Sequence, residues 1–589
     1  MGIRTATGQA RFGGRWRRLP STFGAACAAL LIWAVTGAQA QSPPAAPSAE
    51  AKPQAEAKAE AEAEPRFDIL AFNVKGNTRL SVPEIEAAVY PFMGERRRIA
   101  DAEGARAALE RVYQARGFLS VAVTLPPQTV DTGEVLLEVV EAQVGQRRVT
   151  GARWFLPSRI AEQTPALAPG TVPDFEQVQA QLAQLQTAPD LRLTPVITPG
   201  ATPDRIDVEL RVEDTLPLHG HAELSSRQSY NTDRGRLDAQ LRYDNLFQRG
   251  HSAGLTLIVA PTALDQSRTA VFSYALPVDT SGGSGGGAER GRLSLTGIAS
   301  DSNTPTSLGG STVVQGSSWG LGWRQPLRSL ESGFSHGWSA GADWKHNRDR
   351  SEVSPGLGGS PGSLRYWAFR LGWDAYDSRT EGSQTQFDAQ LGLGLSGINR
   401  REVDCAGRSR VEQFECKRSG ARPDWQLLRL NASHRRTVFS NWALQLRLQA
   451  QLAGDPLSSG EQLGAGGLDS VRGYYEFEQV ADQGVVLGAQ LGTPVLMQLG
   501  PLSLSALAFA EGATLRVNEP LPAEQADIRL LGVGVGLRAS SREGLSVALD
   551  LAWPLRASVK PDASRRPVPA SGEASSNRQR VDLSVRQAF

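Results

Sequence analysis

Trp442-Ala443-Leu444-Gln445-Leu446-Arg447-Leu448-Gln449-Ala450-Gln451-Leu452 alternates apolar and polar side chains without a break over eleven positions. A period of two is the mark of a β-strand whose faces meet different surroundings, and Arg447 with its three neighbouring glutamines makes one face strongly polar. The pattern recurs along the chain. Leu237, Ala239, Leu241 and Tyr243 alternate with Asp238, Gln240, Arg242 and Asp244; Trp367, Phe369, Leu371 and Trp373 form another apolar row, and Leu545, Val547, Leu549, Leu551 and Trp553 a further one. The chain closes on Val581, Leu583, Val585, Gln587 and Phe589, set against Asp582, Ser584 and Arg586.

Alternation does not say which face is inside, because a soluble sandwich hides its apolar face and a membrane barrel presents it to lipid. Three features favour the barrel. The polar faces are charged along their whole length, aromatic residues gather near strand ends, and about sixteen such segments occur, an even number as bacterial barrels require. Connections also alternate in length. Phe247-Gln248-Arg249-Gly250, Val438-Phe439 and Ser541-Arg542 are tight turns, whereas Asn399 to Pro423, Gly454 to Asp482 and Arg556 to Asn577 are long and fall on the opposite side. No run of 18 apolar residues lies between Leu218 and Phe589, so a transmembrane helix is not expected there. The expected fold is an all-β transmembrane barrel of about 16 antiparallel strands over 217–589, preceded by two small α+β domains.

Upstream of the barrel the composition changes. Residues 1–40 read as a secretory signal: five arginines up to Arg18, an apolar run from Phe23 to Val35, and Ala38-Gln39-Ala40 as the cleavage site. Cys27 would be discarded with it. Residues 41–65 are low-complexity Pro, Ala, Glu and Lys with no apolar stripe, which reads as a linker or plug helix. Cys405 and Cys416 lie in a polar stretch with no histidine near enough for a zinc site, so a loop disulfide is the better reading.

Residues 66–142 read as strand, helix, helix, strand, strand. Phe72 to Lys75 is the first strand, Ser81 caps a helix running to about Phe92, and Ala105, Ala108, Leu109, Val112 and Tyr113 share one face of a second helix that Gly117 ends. Residues 143–216 repeat the order, with Val149-Thr150-Gly151 closing the first strand and Phe175, Val178, Leu182 and Leu185 striping a helix. An internal duplication is the simplest account.

The Val-Lys-Gly-Asn-Thr start at Val74 and the helix end from Tyr113 to Phe118 resemble polypeptide-transport-associated (POTRA) domains, small periplasmic docking modules. Between the eleventh and twelfth strands lies Leu463 to Glu476, a glycine-rich loop containing Val471-Arg472-Gly473-Tyr474. That motif, the paired POTRA-like modules and the Asn245 to Gly250 turn together resemble the outer-membrane transporters of two-partner secretion, the TpsB family. The resemblance implies that the loop folds into the lumen, where Arg472 pairs with an acid from a Phe-x-Asp-x-Gly motif two strands on. The equivalent here is Phe509-Ala510-Glu511-Gly512-Ala513, with Glu for Asp and the glycine one place early. Phe509 and Glu511 share the parity of Ser503 and Ser505, which points Glu511 into the lumen. In a wet lumen such a pair would be worth about 0 to 1 kcal/mol, and more if partly desolvated.

The resemblance further implies a Gram-negative outer membrane with the modules in the periplasm, and a large secreted exoprotein, adhesin or cytolysin, as partner. A terminal aromatic strand resembles the signal read by the barrel-assembly machinery. No P-loop stretch is present, so export without nucleotide hydrolysis is expected. An outer-membrane assembly factor shares the architecture but usually carries more modules, and a solute porin lacks them. Net charge is +1 with no basic run interleaved with aromatics, so no nucleic-acid partner is expected. Neither a cofactor, a metal nor catalysis is expected: the six histidines are scattered, and His219 and His221, though on one face, find no further Cys or His.

Overall fold

The computed structural model describes residues 66–229, 232–278, 290–302, 306–308, 311–313, 315–329, 331–348, 363–405, 408–520, 525–558 and 579–589. The signal and the low-complexity segment read from the sequence lie outside these residues, as does most of the loop from Arg556 to Asn577.

Each module is a three-stranded sheet under two helices. In the first, strand Ala71–Lys75 runs parallel to the central strand Glu134–Glu141, and Val121–Thr124 lies antiparallel on its other side. The second has the same order: Gln143–Thr150 is parallel to the central Arg205–Asp214, with Leu191–Pro199 antiparallel beyond. The duplication is visible in single residues. Gly76 and Gly151 both leave the first strand at left-handed φ (88° and 85°), and a Cβ there would meet Val139 O at 2.2 Å and Val212 O at 2.4 Å. Only glycine fits both the angle and the space.

The helices form where the apolar periodicity placed them. Ile99–Ala115 buries Ala105, Leu109 and Tyr113 against Leu137 and Val139. The Tyr113 hydroxyl donates to Asn77 Oδ1 at 2.5 Å and Glu141 Oε1 at 3.1 Å, and burial, reinforced by the Glu141 carboxylate, raises it above the ordinary tyrosine range. The first helix is regular only over Val82–Val89 and tightens to a 3₁₀ turn over Tyr90–Phe92, where Pro91 offers no N–H to continue the ladder. A small additional sheet, Phe67–Ile69 against Gly94–Arg97, was not legible, since three- and four-residue strands carry too little alternation to stand out.

The modules share structure with each other and with the barrel. Phe175 N donates to Gly117 O at 2.9 Å, and Val172 of the second module packs in the core of the first. Asp214 accepts from three successive backbone amides, Arg153 to Phe155, at 2.6–3.0 Å. The adjoining residues meet the barrel: Gln248 accepts from Leu156 N at 3.0 Å and donates to Trp154 O at 3.0 Å.

The barrel strands are β1 (Leu218–Ser225), β2 (Arg236–Leu246), β3 (His251–Val259), β4 (Ser267–Val278), β5 (Gly291–Ser302), β6 (Gly316–Leu327), β7 (Phe334–Asn347) and β8 (Leu364–Asp377). They continue as β9 (Ser383–Leu393), β10 (Gln426–Val438), β11 (Trp442–Ala453), β12 (Gln483–Gly492, resuming over Met497–Leu499), β13 (Leu502–Arg516), β14 (Asp527–Ser541), β15 (Leu545–Pro554) and β16 (Arg580–Ala588). Every neighbour is antiparallel, and β16 closes on β1 through five pairs, from Ser584↔Ser225 to Ala588↔His221.

The apolar rows face outward. Leu241, Trp367, Leu371, Trp373, Leu446, Leu549, Leu583 and Phe589 are exposed on the outer wall. Polar partners meet on the inner wall, as in Arg370 Nη2–Asp343 Oδ1 at 2.7 Å and Arg324 Nη2–Asp374 Oδ2 at 2.5 Å. No helix among the described residues is long and apolar enough to cross a membrane, and the strands supply the crossing. The two wall faces therefore differ sharply in what they tolerate. Leu446→Arg sets a cation against lipid at a cost of about 2–4 kcal/mol, whereas Gln449→Arg adds one to the inner wall. Heat-modifiable gel migration of membrane fractions is expected to show less folded barrel for the first and an unchanged amount for the second.

Candidate functional site

The connection between β11 and β12 does not extend away from the barrel. Leu463–Ala465 and Gln479–Ala481 pair as a short antiparallel ladder that carries the tip inward. The tip turns on glycines at positive φ, Gly466 (110°), Gly467 (98°) and Gly473 (100°). Gly473 has a second reason to lack a side chain, since a Cβ would stand 3.0 Å from Pro554 N on β15.

Arg472 ends on Glu511 of β13. Its Nε lies 3.1 Å from both carboxylate oxygens, its Nη2 2.7 Å from Oε1, and its backbone N donates to Oε2 at 2.8 Å. The guanidinium carbon lies 3.4 Å from the centre of the Phe509 ring, and Nη2 also donates to Gln490 Oε1 at 3.1 Å. Arg472 is 3% exposed and Glu511 2%. This differs from the weakly held pair expected of a wet lumen, and the reason is the seat around it. Val471 and Tyr474 pack with Val486, Ala513, Leu515, Ile528 and Leu530, inward-facing apolar residues of β12 to β14 that shut water out. The Tyr474 hydroxyl donates to Leu531 O at 3.1 Å and Arg556 O at 2.7 Å.

Several contributors were missed by reading the sequence. Arg447 Nη2 donates to Glu511 Oε1 at 2.7 Å, and Asp550 Oδ2 lies 3.6 Å from Arg472 Nη1 while also pairing with Arg538. Cations and acids thus alternate across the wall: Arg447, Glu511, Arg472, Asp550, Arg538. Room for the loop comes from β14. A Cβ on Gly532, the residue opposite Glu511, would meet Arg472 O at 2.2 Å, and one on Gly534 would meet the Phe509 ring at 2.2 Å. The signal was present as Gly532, Gly534 and Gly536 at alternate positions, a flat stripe on one face of a strand.

The remaining candidates lie elsewhere. Cys405 and Cys416 are joined in the loop between β9 and β10, at the end of the barrel away from the modules. His219 lies at the module end, where folding supplies neighbours the sequence did not: Asp190 Oδ2 at 2.9 Å and Asp244 Oδ2 at 3.9 Å. Thr215 already donates to Asp190 and Arg242 to Asp244, so the cluster joins the second module to β1 and β2.

Two segments of the chain and its overall fold are similar to known proteins. Residues 67–142 match the model of the POTRA domain, ShlB-type, and residues 363–539 that of the haemolysin secretion/activation protein ShlB/FhaC/HecB. The outer membrane transporter CdiB of Escherichia coli is 26% identical over 184 residues, and the match spans 31% of this chain and 30% of CdiB. The solved structure of CdiB from Escherichia coli superposes with a TM-score of 0.57 at 19% identity, over 91% of this chain and 93% of that one. CdiB from Acinetobacter baumannii gives 0.53 at 12% identity, over 90% and 91%.

Replacing Arg472 with Ala strips a buried carboxylate of its main partner, a change that costs about 3–5 kcal/mol where no other charge compensates and less here because Arg447 stays. Arg472→Lys retains the charge but not the two-pronged geometry, and Gly532→Ala displaces the loop without touching either charge. All three are expected to increase protease cleavage of the loop in intact purified protein, with Arg472→Ala the most affected. Residues 67–142 thus resemble the ShlB-type POTRA domain, and residues 363–539, which include the seated loop and Glu511, resemble the haemolysin secretion/activation proteins ShlB/FhaC/HecB.

Proposed function

We propose that this protein exports one large partner polypeptide across the outer membrane, as an adhesin or cytolysin would require, with its two modules standing in the periplasm. The observation that carries the reading is Arg472, held on Glu511 inside a barrel whose inner wall is polar. A loop seated by a few buried ion pairs and a modest apolar patch closes a wide pore at rest. It also leaves by breaking a countable set of contacts, which is what a conduit for occasional large cargo needs.

Sheet edges on the modules offer the docking surface, because an extended client can pair with unpaired N–H and C=O groups. In the second module the edge strand Leu191–Pro199 carries Pro195 and Pro199, which lack the amide donor and blunt that edge. The edges without proline are Gln143–Thr150 in the second module and Ala71–Lys75 and Val121–Thr124 in the first, and these are the better receivers. Direction comes from folding of the client outside, not from nucleotide hydrolysis, and no catalysis enters the scheme. Insertion of the barrel itself is assigned to the assembly machinery that reads β16, with lipid against the outward rows.

Deleting 67–214 is expected to abolish secretion of the co-expressed partner while the barrel still appears in the outer membrane. Unchanged secretion by an inserted, module-free barrel would reject the docking role.

A further inference from the structure

Glu511 secures the tip of the inward loop, but its root is held separately. Asp482, the last residue before β12, is 0% exposed, and five donors converge on its carboxylate. Oδ1 accepts from Arg418 Nη1 at 2.5 Å, Leu457 N at 2.9 Å and Gln462 Nε2 at 3.2 Å. Oδ2 accepts from Arg418 Nη2 at 2.7 Å and Asn518 N at 2.7 Å. These donors come from three surface connections: Arg418 from the one between β9 and β10, Leu457 and Gln462 from the inward loop, and Asn518 from the one between β13 and β14. Arg418 tightens the knot by donating also to Leu457 O at 2.9 Å and Asn518 O at 3.3 Å.

We infer that Arg418 and Asp482 are positioning residues for the inward loop, so that the β9–β10 connection sets whether the loop can leave the lumen. The root is where a withdrawing loop must pivot, because Gln483 already belongs to β12 and its ladder. A two-pronged guanidinium on a fully buried carboxylate fixes that pivot in position and direction. What fixes Arg418 is visible as well. It caps the short helix Gln413–Lys417, donating its backbone N to Phe414 O at 2.9 Å. Phe414 is buried against Tyr366, with ring centres 5.3 Å apart. The Cys405–Cys416 bond ties the same helix to the strand Glu402–Cys405. The disulfide therefore braces the loop at one remove, through Arg418.

This inference rests on the reading of the loop as a closure, and the test separates the two. Purified full-length protein in planar lipid bilayers is compared as wild type, Arg472→Ala, Arg418→Ala and Arg418→Lys. Arg418→Ala is expected to raise the fraction of time spent conducting about tenfold, equivalent to about 1.4 kcal/mol, with Arg418→Lys between it and wild type. Heat-modifiable migration should be the same for all four, which a general loss of fold would not give. Wild-type conductance in Arg418→Ala beside an open Arg472→Ala overturns the role of the root alone; wild-type conductance in both overturns the closure reading and this inference with it. Dithiothreitol supplies the arm for the brace. Its two thiols become a cyclic disulfide as the Cys405–Cys416 bond is cleaved to two thiols, and the conducting fraction should rise as in Arg418→Ala. A trace unchanged by complete reduction removes the disulfide from the device.

Discussion

The contact on which the rest of the structure turns is the one between Arg472 and Glu511. A guanidinium and a carboxylate, each almost wholly removed from solvent inside a barrel with a polar wall, need a local environment that the barrel alone does not provide. The chain builds it from three sources. Val471, Tyr474 and the apolar inner-wall residues of β12 to β14 exclude water, the Phe509 ring faces the cation, and Gly532 and Gly534 remove the side chains that would otherwise occupy the space. Arg447 and Asp550 then balance the pair from either side, so that neither charge depends on a single partner.

Much of this was legible before any coordinate. The alternation from Trp442 to Leu452 and its repeats told which side chains share a face, and parity alone placed Glu511 with Phe509 on the polar side. The modules were legible because helix stripes and a repeated strand order survive in a single sequence. Alternation alone could not say which face met lipid, since it reads identically in a sandwich, and the exposure of Leu241, Trp367 and Leu446 on the outside of the closed barrel settles it. The dryness of the seat was not legible either. Ala513, Leu515 and Leu530 look like ordinary strand residues until the fold shows them facing inward beneath a loop.

Other misses share a cause. Asp482 is one acid among many in a long polar connection, and nothing in its neighbourhood announces that donors from three loops will meet on it. The cluster of Asp190, His219 and Asp244 likewise joins residues from the second module and two barrel strands. Sequence reading finds residues that act along one element; it loses those whose partners are brought together by the fold.

The joints below the barrel have a mechanical meaning. Val172 lies in the core of the first module, Phe175 N is bonded to Gly117 O, and Gln248 of the β2–β3 turn holds both Trp154 and Leu156. Asn245, Phe247 and Gln248 in that turn adopt left-handed backbone angles of 65°, 59° and 56°, a conformation with little slack for residues that carry side chains. A pull exerted on the far module is thus delivered, as through a stiff crank, to the strands beside the barrel seam instead of being lost in a floppy tether.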